Sequence, residues 1–98
     1  MIRAPEDCRD MDELRKEIDR IDKRLIKSLA ERTRYIKRAV EIKRAQKIPA
    51  LVPARVEAVI THVKEEAVKD GVDPTLADKL WRTILDWSVN YESDKLKK

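Results

Sequence analysis

From Leu14 onward the chain places apolar residues at three- and four-residue intervals: Leu14, Ile18, Ile21, Leu25, Leu29, Ile36 and Ala39. At about 100° per residue these positions fall within about 60° of one line, which is one face of an α-helix. Neither Gly nor Pro interrupts residues 11–46, so the pattern predicts one continuous helix over that span. The preceding 1-MIRAPEDCRD-10 lacks the period, and Asp10 or Asp12 is placed to cap the helix start. A helix this long is about three times the globular mean and reaches about 50 Å, more than a small monomer covers. Its length calls for a partner, most simply a second copy of the chain.

The break at 47-KIPALVPA-54 carries Pro49 and Pro53, and Pro53 suits the first turn of a second helix over about 53–69. That helix aligns Val56, Val59, Ile60, Val63 and Ala67 on one face. At 70-DGVDP-74, Gly71 suits a C-terminal cap and Asp73-Pro74 a new start. A third helix over about 74–95 then turns Ala77, Leu80, Trp81, Ile84, Leu85, Trp87 and Tyr91 inward. Nothing alternates with period two for long enough to make a sheet, and one Gly with no Phe in a chain rich in Ala, Leu, Ile, Glu, Lys and Arg favours helix. The expectation is an all-α fold of three helices, one very long, as a single domain over 1–98.

Charge changes this picture little. The net charge of +4 comes from 23 basic residues interspersed with 19 acids, so the excess forms no basic block of the kind that nucleic acid requires. Only 95-KLKK-98 is a short basic run, read as a solvated tail. Cys8 is the one cysteine and has no partner for an intrachain disulfide. No apolar run is long enough to span a membrane and no signal-peptide core follows Met1, which makes the cytoplasm the expected location.

Four polar residues stand where apolar ones belong: Arg32 and Lys43 in the middle of the first helix's stripe, and Ser88 and Glu92 on that of the third. An unpaired buried charge is costly, so each needs a partner or a ligand. One solution is an internal ion pair of Glu92 with Arg32 or with Lys43. The other is an anionic ligand, favoured because Arg15 at the stripe's margin makes three cations against one carboxylate. Arg32 and Lys43 lie about 16 Å apart along one helix line, a span that two long side chains can close on a small molecule. Arg15 is about 25 Å from Arg32 along the same helix and reaches such a ligand only from a second, antiparallel copy.

These residues carry a family pattern. In 4-APEDC-8, 14-LRKEIDRID-22, 31-ERTRYIKRAVEIK-43 and 48-IPA-50, and above all in the spacing Arg15–Arg32–Lys43, nearly the whole chain resembles the all-α chorismate mutase family, in the branch that includes isochorismate-pyruvate lyases. The resemblance implies an intertwined homodimer that binds a small dianion, chorismate or isochorismate, with no cofactor and no metal. Arg15 of one protomer and Arg32 of the other would hold the two carboxylates. Lys43 would donate to the ether oxygen, with Glu92 in the place of a glutamine or glutamate that reaches the same atom. Arg55 matches an arginine that steadies a carboxylate, and Ser88 a position that often contacts one. Where typical bacterial mutases carry a glutamate after that arginine, this chain has Val56, as the lyase branch does, which leaves the ring substituent less constrained. Because the lyase branch prefers glutamine at the Glu92 position, the resemblance points to mutase, with lyase as the alternative.

A pericyclic reaction asks only for conformer selection and stabilisation of a polarised transition state. Catalysis would fall to Lys43, Glu92 and Arg32. A carboxyl facing an ether oxygen must carry a proton to donate, so activity is expected to rise as pH falls. His62 stands alone on the outer side of the second helix and reads as a surface histidine. A non-catalytic helical dimerisation module would account for the long stripe, but gives no reason for Arg32 and Lys43 at its centre.

Overall fold

The structure is a computed structural model and describes residues 1–97. A short 3-10 helix, Pro5–Asp7, precedes three α-helices: α1 (Met11–Gln46), α2 (Pro53–Lys69) and α3 (Pro74–Leu96). The fold is all-α, with one long helix. The three helices start and stop where the sequence places them, apart from one further residue on α3; the 3-10 turn was not foreseen. The basic run after residue 94 is not slack along its length, because Lys95 and Leu96 belong to α3. Lys98 lies outside the described residues.

Local chemistry sets the helix ends. Asp10 caps α1 by accepting from the Glu13 backbone N–H through Oδ1 at 2.9 Å, and Glu13 Oε1 accepts in return from the Arg9 N–H at 2.9 Å. Asp73 Oδ1 accepts from the Thr75 N–H at 2.9 Å at the start of α3, beside Pro74 in the first turn. At the end of α2, Gly71 takes φ 75°, while the Val72 and Gly71 N–H groups donate to the Ala67 and Val68 carbonyls at 2.8 and 3.3 Å. That is a Schellman closure, and glycine meets its left-handed backbone without a side-chain penalty. The end of α1 closes in the same way without glycine. Lys47 takes φ 58°, and the Ile48 N–H donates to the Lys43 carbonyl at 2.9 Å. A lysine there is strained by about 1 kcal/mol.

The chain divides into two compact units, Met1–Arg34 and Tyr35–Lys98, and α1 contributes to both. The first is held by local polar contacts. Glu13 pairs with Arg3 at 3.6 Å and with Arg9 at 3.2 Å, and Glu17 with Arg20 at 2.9 Å. The Arg9 backbone N–H, then its guanidinium, hold the Glu13 carboxyl below its ordinary range. Cys8 donates its thiol to the Ala4 carbonyl, and desolvation, followed by the nearby Glu17 and Glu13 charges, pushes that thiol up and away from reactive thiolate. The apolar stripe of α1 stays bare in this unit: Ile18, Ile21, Leu25 and Leu29 are all exposed.

In the second unit α2 packs on α3, and the core is Val40, Ile60, Ala67, Ala77 and Leu85. It is thin, as expected of so short a chain. Two of the side chains expected inside α3's stripe stand open within the single chain: Leu80 is 49% and Trp87 51% exposed. Helical period identifies an apolar face but not what covers it. Trp87 stacks on Tyr91 at 5.3 Å between ring centroids, and the Lys95 ammonium sits over the Tyr91 ring. His62 is exposed on α2, as read from the sequence. Among the described residues no helix is long and apolar enough to cross a membrane.

Nothing lies within 4 Å of a Cβ built on Gly71, so Gly71→Ala tests backbone conformation alone. The substitution is expected to lower stability by about 1 kcal/mol, seen as a lower urea midpoint with an unchanged slope.

Candidate active site

The inner stripe of α3 continues past Leu85 into two buried polar residues, Ser88 at 3% and Glu92 at 5% exposure. They lie one helical turn apart and face the same way. Ser88 donates its hydroxyl to the Ile84 carbonyl at 3.0 Å. The Glu92 carboxylate meets the last turn of α1, where Lys43 Nζ stands 2.7 Å from Oε1. The Lys43–Glu92 pair is one of the two that the sequence left open.

This pair is close but oblique. Glu92 Oε1 is sealed from solvent, and among the described residues no aligned hydrogen bond reaches it. The contact is Coulombic attraction in a partly desolvated setting rather than a directed bond. The ammonium directs a hydrogen bond elsewhere, donating to the Ala50 carbonyl at 2.9 Å. Lys43 therefore holds the segment after α1 at two points, by its side chain at Ala50 and by its carbonyl at the Ile48 N–H. Arg44 ties α1 directly to α3 by donating from Nη2 to the Lys95 carbonyl at 2.6 Å. The side-chain ties at Ala50 and Lys95, and the left-handed Lys47, were not anticipated. Backbone carbonyls carry no sequence signal, and Gly, the usual marker of such a turn, is absent there.

Arg55 is exposed in the first turn of α2, where its backbone N–H donates to the Val52 carbonyl at 2.9 Å, and the Val56 side chain is half-buried beside it. In the first unit, Arg15 is exposed and Arg32 half-buried on α1. Of the six residues singled out, the second unit brings Lys43 and Glu92 into contact, with Ser88 a turn away.

A buried carboxyl against an ammonium, with further cations exposed on the same helices, is suited to hold carboxylates and to stabilise negative charge on an oxygen. Among the described residues no cluster of three or more His, Cys, Asp or Glu side chains is arranged to hold a metal. The sequence model of one family, chorismate mutase type II, matches residues 14–93, a span that includes all six positions. The chain belongs to that family. It is 33% identical over 89 residues to the isochorismate pyruvate lyase of Pseudomonas aeruginosa, covering 90% of this chain and 86% of that protein. To the chorismate mutase of Methanocaldococcus jannaschii it is 30% identical over 74 residues, 76% of this chain and 75% of the mutase. The bifunctional chorismate mutase/prephenate dehydratase of Aquifex aeolicus is 41% identical over 86 residues, which is 85% of this chain but 24% of that longer protein. The family thus contains relatives of both kinds, a mutase and a lyase, and this chain is an enzyme-family member similar to each.

Removing one partner of the pair leaves the other charge uncompensated. Lys43→Met is expected to lower stability by about 2 kcal/mol, less than for a fully buried pair because the Lys43 side chain is 20% exposed. Adding Glu92→Gln to that variant should restore most of the loss, as measured by urea denaturation across the double-mutant cycle.

Proposed function

We propose that the protein is a chorismate mutase acting in the cytoplasm as a homodimer, one chorismate-mutase-like domain over residues 1–98, with neither cofactor nor metal. The observation that carries this reading is the Lys43 ammonium 2.7 Å from a buried carboxyl, on the helix that bears Arg15 and Arg32 at the family's spacing. Chorismate is a dianion, and its rearrangement to prephenate breaks one ether C–O bond as one C–C bond forms. The electrons circulate within a six-membered transition state, and nothing leaves. Negative charge grows on the ether oxygen as that bond stretches. Lys43 donates to this oxygen, and Glu92 does so when it carries a proton. Arg15 of the partner protomer, Arg32 and Arg55 hold the carboxylates and select the diaxial conformer, with Ser88 as a further polar contact.

The bare stripe of α1 supports the dimer. Every side chain from residue 21 to residue 31 is exposed in the single chain, including Ile21, Leu25, Ile26 and Leu29, and a second copy is the simplest cover. Sedimentation equilibrium is expected to give twice the 11.5 kDa chain mass at micromolar concentration; a monomer would remove the composite site.

A second reading is favoured by Val56, which offers no acceptor to a ring hydroxyl next to Arg55, and by the lyase relative that aligns along most of both chains. It is isochorismate-pyruvate lyase activity in the same site. There the ether C–O bond breaks while a ring hydrogen moves to the enolpyruvyl methylene, releasing pyruvate and leaving salicylate. Incubation with chorismate and with isochorismate, between about pH 5 and about pH 8, separates the two. Prephenate supports the mutase, salicylate plus pyruvate the lyase, and no product from either substrate overturns both.

Loss of a preorganised donor costs about 3 kcal/mol or more in other enzymes, so Lys43→Ala is expected to lower turnover at least about a hundredfold while the helices persist by circular dichroism.

A further inference from the structure

Beside the Lys43–Glu92 pair, a groove of about 450 Å³ opens between the end of α1, the following turn and the last turn of α3. Among the described residues four cations line it, Lys43, Arg44, Lys47 and Lys97, with no carboxylate in the lining. Lys43 has its charge matched by Glu92. Arg44 is fixed by the Lys95 carbonyl, which orients the guanidinium without neutralising it. Lys47 and Lys97 have no ion-pair partner among the described residues. Three positive charges thus remain among the described residues. The carboxyl ends of α1 and α3 offset only about half a charge each.

Apolar side chains complete the lining, chiefly Ile48 and Leu96. The volume falls within the range of small-molecule sites. A groove lined by cations and by apolar side chains suits a small organic dianion built on a ring. The one ammonium that both lines the groove and touches Glu92 is Lys43. A ligand held there lies against the group expected to act on its ether oxygen.

We propose that this groove is a capture site for the substrate dianion: Arg44, Lys47 and Lys97 gather the carboxylates from solvent and deliver them to Lys43. The proposal rests on the function given above. Lys47 and Lys97 take no part in bond breaking. Their contribution is to encounter and affinity, through a field that a cleft concentrates and that salt screens within about 10 Å at 0.1 M. The strained turn at Lys47 has a consequence in this setting, since it sets a long cationic side chain at the groove where glycine would set none.

Two measurements test the groove. The first compares steady-state kinetics of wild type, Lys97→Glu and Lys47→Gln on whichever of chorismate or isochorismate the wild type consumes, at low and high ionic strength. Each variant is expected to lose about fivefold in kcat/KM at low salt, with kcat unchanged, and to converge on wild type at high salt. Lys47→Arg should restore the wild-type value. Unchanged kcat/KM, or an equal fall in kcat at both ionic strengths, overturns the proposal. The second titrates ¹⁵N-labelled protein with succinate, a dianion that neither reaction consumes, and follows the amides of Lys47, Ser93 and Lys97. Saturable shifts that Lys97→Glu abolishes support the groove, and shifts absent or unaltered by that variant overturn it. If the wild type consumes neither chorismate nor isochorismate, the proposed function fails, and the succinate titration still decides whether the groove gathers dianions.

Discussion

One contact between opposite charges ties the end of α1 to the last turns of α3. Lys43 and Glu92 meet at 2.7 Å where the inner stripes of α1 and α3 would otherwise continue as core. Such a pair contributes little net stability against an apolar replacement, because desolvating two charges offsets most of their attraction. Its effect is geometric. The same ammonium that faces Glu92 holds the Ala50 carbonyl, so the end of α1, the segment that follows and the last turns of α3 share one anchoring group. Around it the core is thin and the other ties are polar, which makes the placement of this one charge decisive for the region.

The distribution of apolar surface makes the same point from the opposite side. A family member with a mutase or lyase reaction must take a dianion out of water, and a short chain has little interior in which to do so. Here the long helix turns Ile18, Ile21, Leu25 and Leu29 outward, and Leu80 and Trp87 on α3 are likewise uncovered. Surface of that kind is usually reserved for a partner. Two chains that cover each other's stripes would enclose cations that neither chain alone desolvates. In the proposed dimer, apolar burial would lower the local dielectric, and the lower dielectric would strengthen every charge aimed at a bound anion.

Much of this was legible in the residues themselves. The helices begin and end as read, because Asp10, Pro53, Gly71, Asp73 and Pro74 act through local backbone chemistry that needs no tertiary context. The family, too, could be read from the spacing of Arg15, Arg32 and Lys43 and from the flanking runs. The polar side chains of α3 were correctly assigned to its inner face, since the helical period alone dictates that Ser88 and Glu92 follow Ala77, Trp81 and Leu85.

Period says nothing about partners, and there the folded chain had to decide. That Lys43 meets Glu92 depends on where the end of α1 meets α3, a distance that no residue pattern encodes. The same holds for the Ala50 and Lys95 carbonyls, which are chemically identical to every other carbonyl until packing brings a cation to them. Lys47 adopts a backbone conformation that its side chain disfavours, so propensity pointed away from the turn that the surrounding bonds enforce. Local signals thus determined the elements and their faces, while tertiary packing chose which charges meet, because ion pairs and long-range hydrogen bonds depend on through-space distance rather than position along the chain.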